Sequence, residues 1–178
     1  MENNMDRDNK YVNIEDFDLS WYFNIEGIKM SDEEMKYIKP LAKAYSSKMW
    51  EKYISHRHHR FEQLDSEDKL PPLARMDYNW LDDLDNGIYE DFSNYLLRSI
   101  NYHQQDTVLA FWLKDYAVET EWHFFIKHWS EFLFDQGVVL INVSSEQFLM
   151  FCSNGTLLKG MNFFKLGDPK KSLYNFKV

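Results

Sequence analysis

Between Asp77 and Asp91 the sequence reads DYNWLDDLDNGIYED. Carboxylates stand at Asp77, Asp82, Asp83, Asp85, Glu90 and Asp91, with no lysine or arginine among them. Tyr78, Trp80 and Tyr89 are interleaved. Carboxylates speed the encounter with a cationic surface and aromatic side chains anchor it, so this composition suits a binding surface for a basic protein. The plainer alternative is a solvated loop leading into a helix whose first turn favours carboxylates. The same stretch fails as a calcium loop. With Gly87 as the sixth loop residue, Asp82 and Asn86 fall first and fifth, but Leu84 falls third and Ser93 twelfth, where oxygen ligands are required.

Other residues with chemical potential group less well. His56, His58 and His59 alternate with Arg57 and Arg60. No cysteine or acidic residue completes a zinc spacing, and the arginines disfavour a cation, so no metal is assigned. The cluster is expected to pair with the chain's own acidic surface or to stay solvated. A metal-dependent enzyme using these histidines is the weaker alternative. His123 and His128 lie five apart on one expected helix, on different sides of it. Cys152, inside FLMFCS, reads as a small apolar group packed in a sheet. No phosphate-binding glycine loop, nucleophile elbow or His-Glu-x-x-His appears. No catalytic residue and no cofactor is assigned, and the chain is expected not to be an enzyme.

The element that must position these groups is the stretch ETEWHFFIKHWSEFLF, Glu119–Phe134. Trp122, Phe125, Ile126, Trp129, Phe132 and Leu133 recur at helical spacing on one side. Thr120 stands where a hydroxyl could cap the helix and Glu121 where a carboxylate suits its dipole. Strand-like runs precede it at Thr107–Leu113 and Tyr116–Val118. Others follow at Val138–Val143, Gln147–Cys152 and Thr156–Lys159. Lys114-Asp115 and Asn154-Gly155 supply hairpin turns. An amphipathic helix needs a partner for its apolar face. The expected fold class is therefore α+β: an antiparallel sheet of about five strands, the helix Trp122–Leu133 on one face and the N-terminal helices alongside.

Towards the N-terminus, Trp21-Tyr22-Phe23 reads as a first strand. Ser31-Asp32-Glu33-Glu34 has the form of a capping box at a helix start, Pro40 interrupts, and Leu41–Ser55 reads as a second helix. Residues 56–79 lack periodicity and are expected to form a long loop. Helix returns from Ile88 to Asn101. One domain spans 1–178, with 1–10 frayed and 161–178 a basic tail.

Length and composition set bounds on function. At 178 residues the chain can bury a substantial core, and its 17% aromatic content is that of a folded protein. Acidic residues outnumber basic ones 29 to 20, for a net charge of −9. That balance argues against a nucleic-acid binder, whose affinity rests on lysine and arginine. The polar start MENNMDRDNK lacks the apolar segment of a secretory signal, no run suits a membrane span, and a single cysteine suits a reducing compartment. A cytoplasmic location is expected.

The order Trp21-x-Phe23, Ser31-Asp32-Glu33-Glu34, Ile38-Lys39-Pro40, Trp50, Glu119-Thr120-x-Trp122-x-x-Phe125-x-x-x-Trp129-x-x-Phe132, Ser153-Asn154-Gly155-Thr156 and Gly160 resembles a group of small acidic bacterial proteins. Similar proteins occur as immunity partners of polymorphic and contact-dependent growth inhibition toxins. The resemblance implies an immunity protein that binds and neutralises a cognate toxin domain, with a basic nuclease as the expected kind, by covering its active site or substrate surface. On that reading Asp77, Trp80, Asp82, Asp83, Asp85, Tyr89, Glu90 and Asp91 meet the partner. The alternative is a small cytoplasmic binding module or enzyme of another role.

Overall fold

The first regular element is set by the capping box. Ser31 accepts the Glu34 N–H, the Glu34 carboxylate accepts the Ser31 N–H, and helix α1 (Asp32–Met35) begins there. The computed structural model describes residues 10–23, 30–65, 67–70, 74–133, 137–145 and 147–161, the side chains of Ala74, Asp77 and Met161 apart. The expected frayed start and basic tail lie outside these residues except for 10 and 161.

After α1 come β1 (Lys39–Pro40), α2 (Lys43–Tyr53), β2 (Ala74–Asn79), α3 (Trp80–Asn86) and α4 (Tyr89–Ser99). The C-terminal half holds β3 (Thr107–Leu113), β4 (Tyr116–Glu121), α5 (Trp122–Lys127), α6 (Trp129–Phe132), β5 (Val138–Asn142), β6 (Gln147–Phe151) and β7 (Thr156–Met161). The strands form one antiparallel sheet in the order β1-β4-β3-β5-β6-β7-β2. The class is α+β, as expected, and the sheet is wider than the expected five strands. Its additions are the two edges: β1, and β2, cut from the tail of the expected loop 56–79. In β2 apolar Ala74, Met76 and Tyr78 alternate with polar Arg75, Asp77 and Asn79, a short strand pattern at the end of a stretch otherwise without periodicity, and Met76 and Tyr78 pack against the larger core.

Both faces of the sheet are covered. Val108, Ala110, Trp112, Leu140, Leu149, Phe151 and Leu157 face the larger core, shared with α3 to α6 and the 3₁₀ turn Ser20–Phe23. Leu109, Phe111, Val139, Ile141, Phe148 and Met150 face a smaller core with Trp50 and Tyr53 of α2, Ile54 and Phe61. So α2 lies on the opposite face from the central helix, not beside it, and the sheet is the middle layer. The turn Lys114-Asp115 holds α2 down. Ser46 Oγ donates to the Lys114 carbonyl (2.8 Å), Lys114 Nζ reaches Glu51 (2.7 Å), and Ser47 bonds Asp115.

The expected helix Trp122–Leu133 is two short helices meeting at His128, which leaves helical geometry at φ −121, ψ 26. The pair is buried nearly all round, Phe124, His128 and Glu131 included, because the N-terminal segment covers the side turned away from the sheet. Tyr37 stacks on Phe124 at 5.1 Å, and Glu34 meets Lys127 (2.7 Å) and His128 Nε2 (3.3 Å). Thr120 does not cap it. Thr120 pairs with Val108 inside β4, and the first free N–H groups of α5, on Trp122 and His123, donate to the carbonyls of Asp106 and Gln104, each at 2.9 Å. Trp21–Phe23, expected as a strand, is a 3₁₀ turn because its rings pack on the core. Tyr22 stacks on Trp112 at 5.7 Å, and Phe23 meets Phe132 edge-on at 5.4 Å.

One ion cluster fixes the β1 edge. Glu119 accepts from Lys10 Nζ (2.6 Å) and the Tyr11 hydroxyl (2.8 Å), with Lys39 Nζ at 3.6 Å. Burial pushes the Glu119 carboxyl up, but Lys10, Tyr11 and Lys39 outweigh it and hold it below its ordinary value of 4.5. A carboxyl lowered on folding stabilises fully above its unfolded value and loses that contribution as pH falls through the folded one. Glu119→Gln is therefore expected to cost about 2 kcal/mol near neutral pH. The deficit should begin to shrink as pH drops below 4.5 and be lost once pH has passed through the lower folded value of Glu119, where both side chains are neutral; urea unfolding of both proteins across that range measures it. A deficit independent of pH would remove the ion pair as its cause.

Candidate protein-binding surface

The acidic stretch is not a loop. Asn79 begins α3 by accepting the Leu81 N–H on its side-chain oxygen (3.3 Å), and Asp82 and Asp83 occupy the first turn. Gly87, at φ 68, ends the helix in the left-handed region, and its N–H returns to the carbonyls of Asp83 and Leu84. Ile88 then precedes α4, whose first turn holds Glu90 and Asp91. Two consecutive helix starts thus gather Asp82, Asp83, Glu90 and Asp91 at the ends whose dipoles favour them, while Asp85 lies in the last turn of α3. Trp129 secures this corner from beneath: its indole N–H donates to the Tyr89 carbonyl at 3.0 Å, and its ring meets Phe92 edge-on at 4.8 Å. The Ser93 hydroxyl bonds the Tyr89 and Ile126 carbonyls (3.1 and 3.0 Å).

The residues expected at a partner surface separate into groups. Asp82, Asp85, Tyr89, Glu90 and Asp91 are exposed, and Asp85–Asp91 is an unbroken exposed run. Asp83 is half-buried and accepts the Tyr78 hydroxyl, so part of its charge is spent within the protein. Trp80 is a correction. At 2% exposure it packs edge-on to Phe151 in the larger core and cannot fill a partner's pocket. Asp77 lies in β2, its side chain outside the described ones. The apolar anchors the surface does present are Ile88 (45% exposed), Tyr89 (47%) and Leu97 (50%). Ile88 reads in sequence as the first apolar residue of a helix face. Gly87 turns the chain so that Ile88 sits before α4, outside the helical periodicity.

Tyr78 joins this corner from the sheet. Its ring lies 4.2 Å from that of Tyr95 and 5.1 Å from that of Phe92. Burial, then the Asp83 carboxylate, then Asp91 push its phenol above the ordinary value of 10.0. The negative potential is therefore felt at the end of the edge strand as well as on the helices.

Two other clusters serve the fold. His58, Asp65 and Asp68 bring ligand-type atoms within 4.8 Å of one another. Arg57 binds both oxygens of Asp65 (3.1 and 3.0 Å) and one of Glu67 (2.7 Å), while His58 Nδ1 lies 2.9 Å from Asp68. A guanidinium seated on Asp65 competes with any cation for it, and of the His56–Arg60 cluster His56, Arg57 and His58 lie against the chain's own carboxylates. A cleft of about 180 Å³ at the β1 edge is lined by Lys36, Tyr37, Lys39, Thr107, Glu119, Thr120 and Glu121. Its Glu119 is already engaged by Lys10, Tyr11 and Lys39. Among the described residues no helix is long and apolar enough to cross a membrane.

Residues 11–160 match the model of a family described as a protein of unknown function, DUF2947. The match runs from the Tyr11 bridge to the penultimate residue of β7, so it covers the described sheet apart from Met161. No curated protein and no solved structure matches the chain.

Proposed function

We propose, for a chain that belongs to the DUF2947 family, that it acts by binding a basic protein through the α3–α4 corner. Specifically, it is an immunity protein that seats on a cognate toxin domain in the cytoplasm of the producing cell. The observation that carries this reading is the exposed run Asp85–Asp91, where Ile88 and Tyr89 stand among Asp82, Asp85, Glu90 and Asp91. No lysine or arginine occurs between Met76 and Leu97. Inhibition follows by occlusion. The carboxylates pair with the lysines or arginines that a nuclease uses on its phosphodiester substrate, and Ile88 and Tyr89 exclude water at the centre of the contact. Opposite charge steers association, and the desolvated pairs slow release.

The test is binding to the product encoded directly upstream of this protein's gene, with rescue of growth in cells that express it. Asp82→Asn, Asp85→Asn and Glu90→Gln together are expected to weaken that complex roughly a hundredfold. Neutral side chains are chosen because lysine in a helix's first turn would oppose the dipole. Stability should change by less than about 1 kcal/mol, as the three residues are exposed. Unaltered affinity in the triple variant would move the interface elsewhere. Absence of both binding and rescue would remove the immunity reading.

A further inference from the structure

We propose that the outer edge of β2 is the place where an extended, basic segment of the protein partner adds as one more strand. The proposal rests on the reading of the α3–α4 corner as the partner surface and supplies the mode of binding.

The hydrogen-bond register leads to it. In the turn between β6 and β7, the Cys152 N–H donates to the Thr156 carbonyl at 2.8 Å. Residues facing each other across antiparallel strands alternate between bonded and non-bonded pairs. From Cys152 and Thr156 the alternation makes Leu158 a bonded partner of Met150, with its main chain turned towards β6. Leu157 and Lys159 are therefore turned the other way, towards β2, where they face Met76 and Ala74. Arg75, opposite Leu158, has its N–H and C=O directed away from the sheet. Among the described residues no main-chain or side-chain group bonds either of them.

An open edge is an invitation to another strand, and natural sheets guard against it with charge, proline or a covering element. Here the edge has a specific chemistry. β2 runs directly into α3, and Tyr78 at its end bonds Asp83 and lies in the field of Asp91. Of the chain's own cations, only Arg75 lies on this strand, and it is exposed. A strand laid beside β2 would make main-chain hydrogen bonds with Arg75, and its own lysines or arginines would meet Asp83 and Asp91 at the Tyr78 end. Charge complementarity selects a basic segment over a neutral or acidic one, and main-chain pairing selects an extended segment over a helix.

Amide hydrogen exchange on the full chain, read by NMR, tests this with a synthetic peptide of alternating lysine and valine. A lysine–proline peptide of equal length and charge is the control, since proline cannot donate to a ladder. The expected result is slowed exchange at the Arg75 N–H with the lysine–valine peptide only. Arg75→Pro, which removes an outward N–H that β7 does not use, should weaken that peptide roughly tenfold. Arg75→Ala, which keeps the N–H, should not weaken it. Equal binding of both peptides, abolished by the triple carboxylate variant, would leave the acidic-surface reading standing and overturn strand addition. An Arg75 N–H already protected in the free chain would show the edge occupied by the chain's own residues or a second copy, and would also overturn it. So would the absence of binding by the lysine–valine peptide.

Discussion

Replacement of Trp129 by alanine is expected to lower the unfolding free energy by about 3–5 kcal/mol. The side chain is buried, so the substitution removes its whole apolar surface and leaves a cavity between α4 and the sheet. Two further losses follow. The Tyr89 carbonyl loses its indole donor, and the Phe92 and Tyr89 rings lose their edge-on partner. Trp129→Phe keeps most of the packing but not the hydrogen bond, and about 1–2 kcal/mol is expected for it. Because the Tyr89 ring packs on Trp129, the alanine variant should also weaken the proposed partner binding, although Trp129 is buried. Equilibrium unfolding in urea measures the stability change. A loss below about 1 kcal/mol would mean that α4 is held by its other contacts.

The second large effect is expected at Gly155. Its φ of 83 lies in the left-handed region, which costs a side-chain-bearing residue about 1–2 kcal/mol. A methyl group there would also collide with Asn79 Oδ1, the oxygen that accepts the Leu81 N–H and begins α3. Losing that cap costs about 1 kcal/mol more. Gly155→Ala should therefore destabilise by about 2–4 kcal/mol in thermal or urea unfolding. The pairing with Asn79 can be isolated. Asn79→Ala removes both the cap and the obstacle, so the double variant should be more stable than the sum of the two single losses by about 1 kcal/mol. Strict additivity would show that the methyl does not reach the cap. The turn between β6 and β7 thus sets the start of the helix that carries Asp82.

Legibility in the sequence followed how local each feature is. The Ser31–Glu34 capping box, the Lys114-Asp115 and Asn154-Gly155 turns and the five strands of the C-terminal half are specified within a few residues, and each was readable. Features decided by distant partners were not. Trp21–Phe23 have aromatic strand propensity, yet Trp112 and Phe132 draw them into a 3₁₀ turn. Thr120 looks like a cap, yet the carbonyls of Asp106 and Gln104 satisfy the helix start and leave Thr120 in β4. β2 does alternate, Ala74, Met76 and Tyr78 against Arg75, Asp77 and Asn79, but the pattern is six residues long behind an aperiodic stretch, and the strand has one neighbour and an irregular step between Met76 and Asn79.

The candidate surface divides in the same way. Its acidity was legible, since charge is a property of composition. Which aromatic side chain faces out was not. Trp80 and Tyr89 occupy similar positions in an acidic, aromatic stretch, and only the path of α3 over Phe151 sends Trp80 inward. Ile88 would have been found by asking what a left-handed Gly87 does to the residue after it.

The strand order has a consequence for the growing chain. The two strands that leave the ribosome first, β1 and β2, belong at opposite edges of the finished sheet, and the strands they pair with, β4 and β7, come later. The central pair, β3 and β5, is complete only after Asn142 has emerged. The N-terminal residues, with Trp50, Tyr22, Phe23 and Trp80 among them, must therefore wait without the surface that will bury them. The pairing thus requires the C-terminal strands before the N-terminal elements can be buried. The many charges between Asp65 and Asp91 accompany those waiting aromatics, and charge of this kind opposes association of exposed apolar segments.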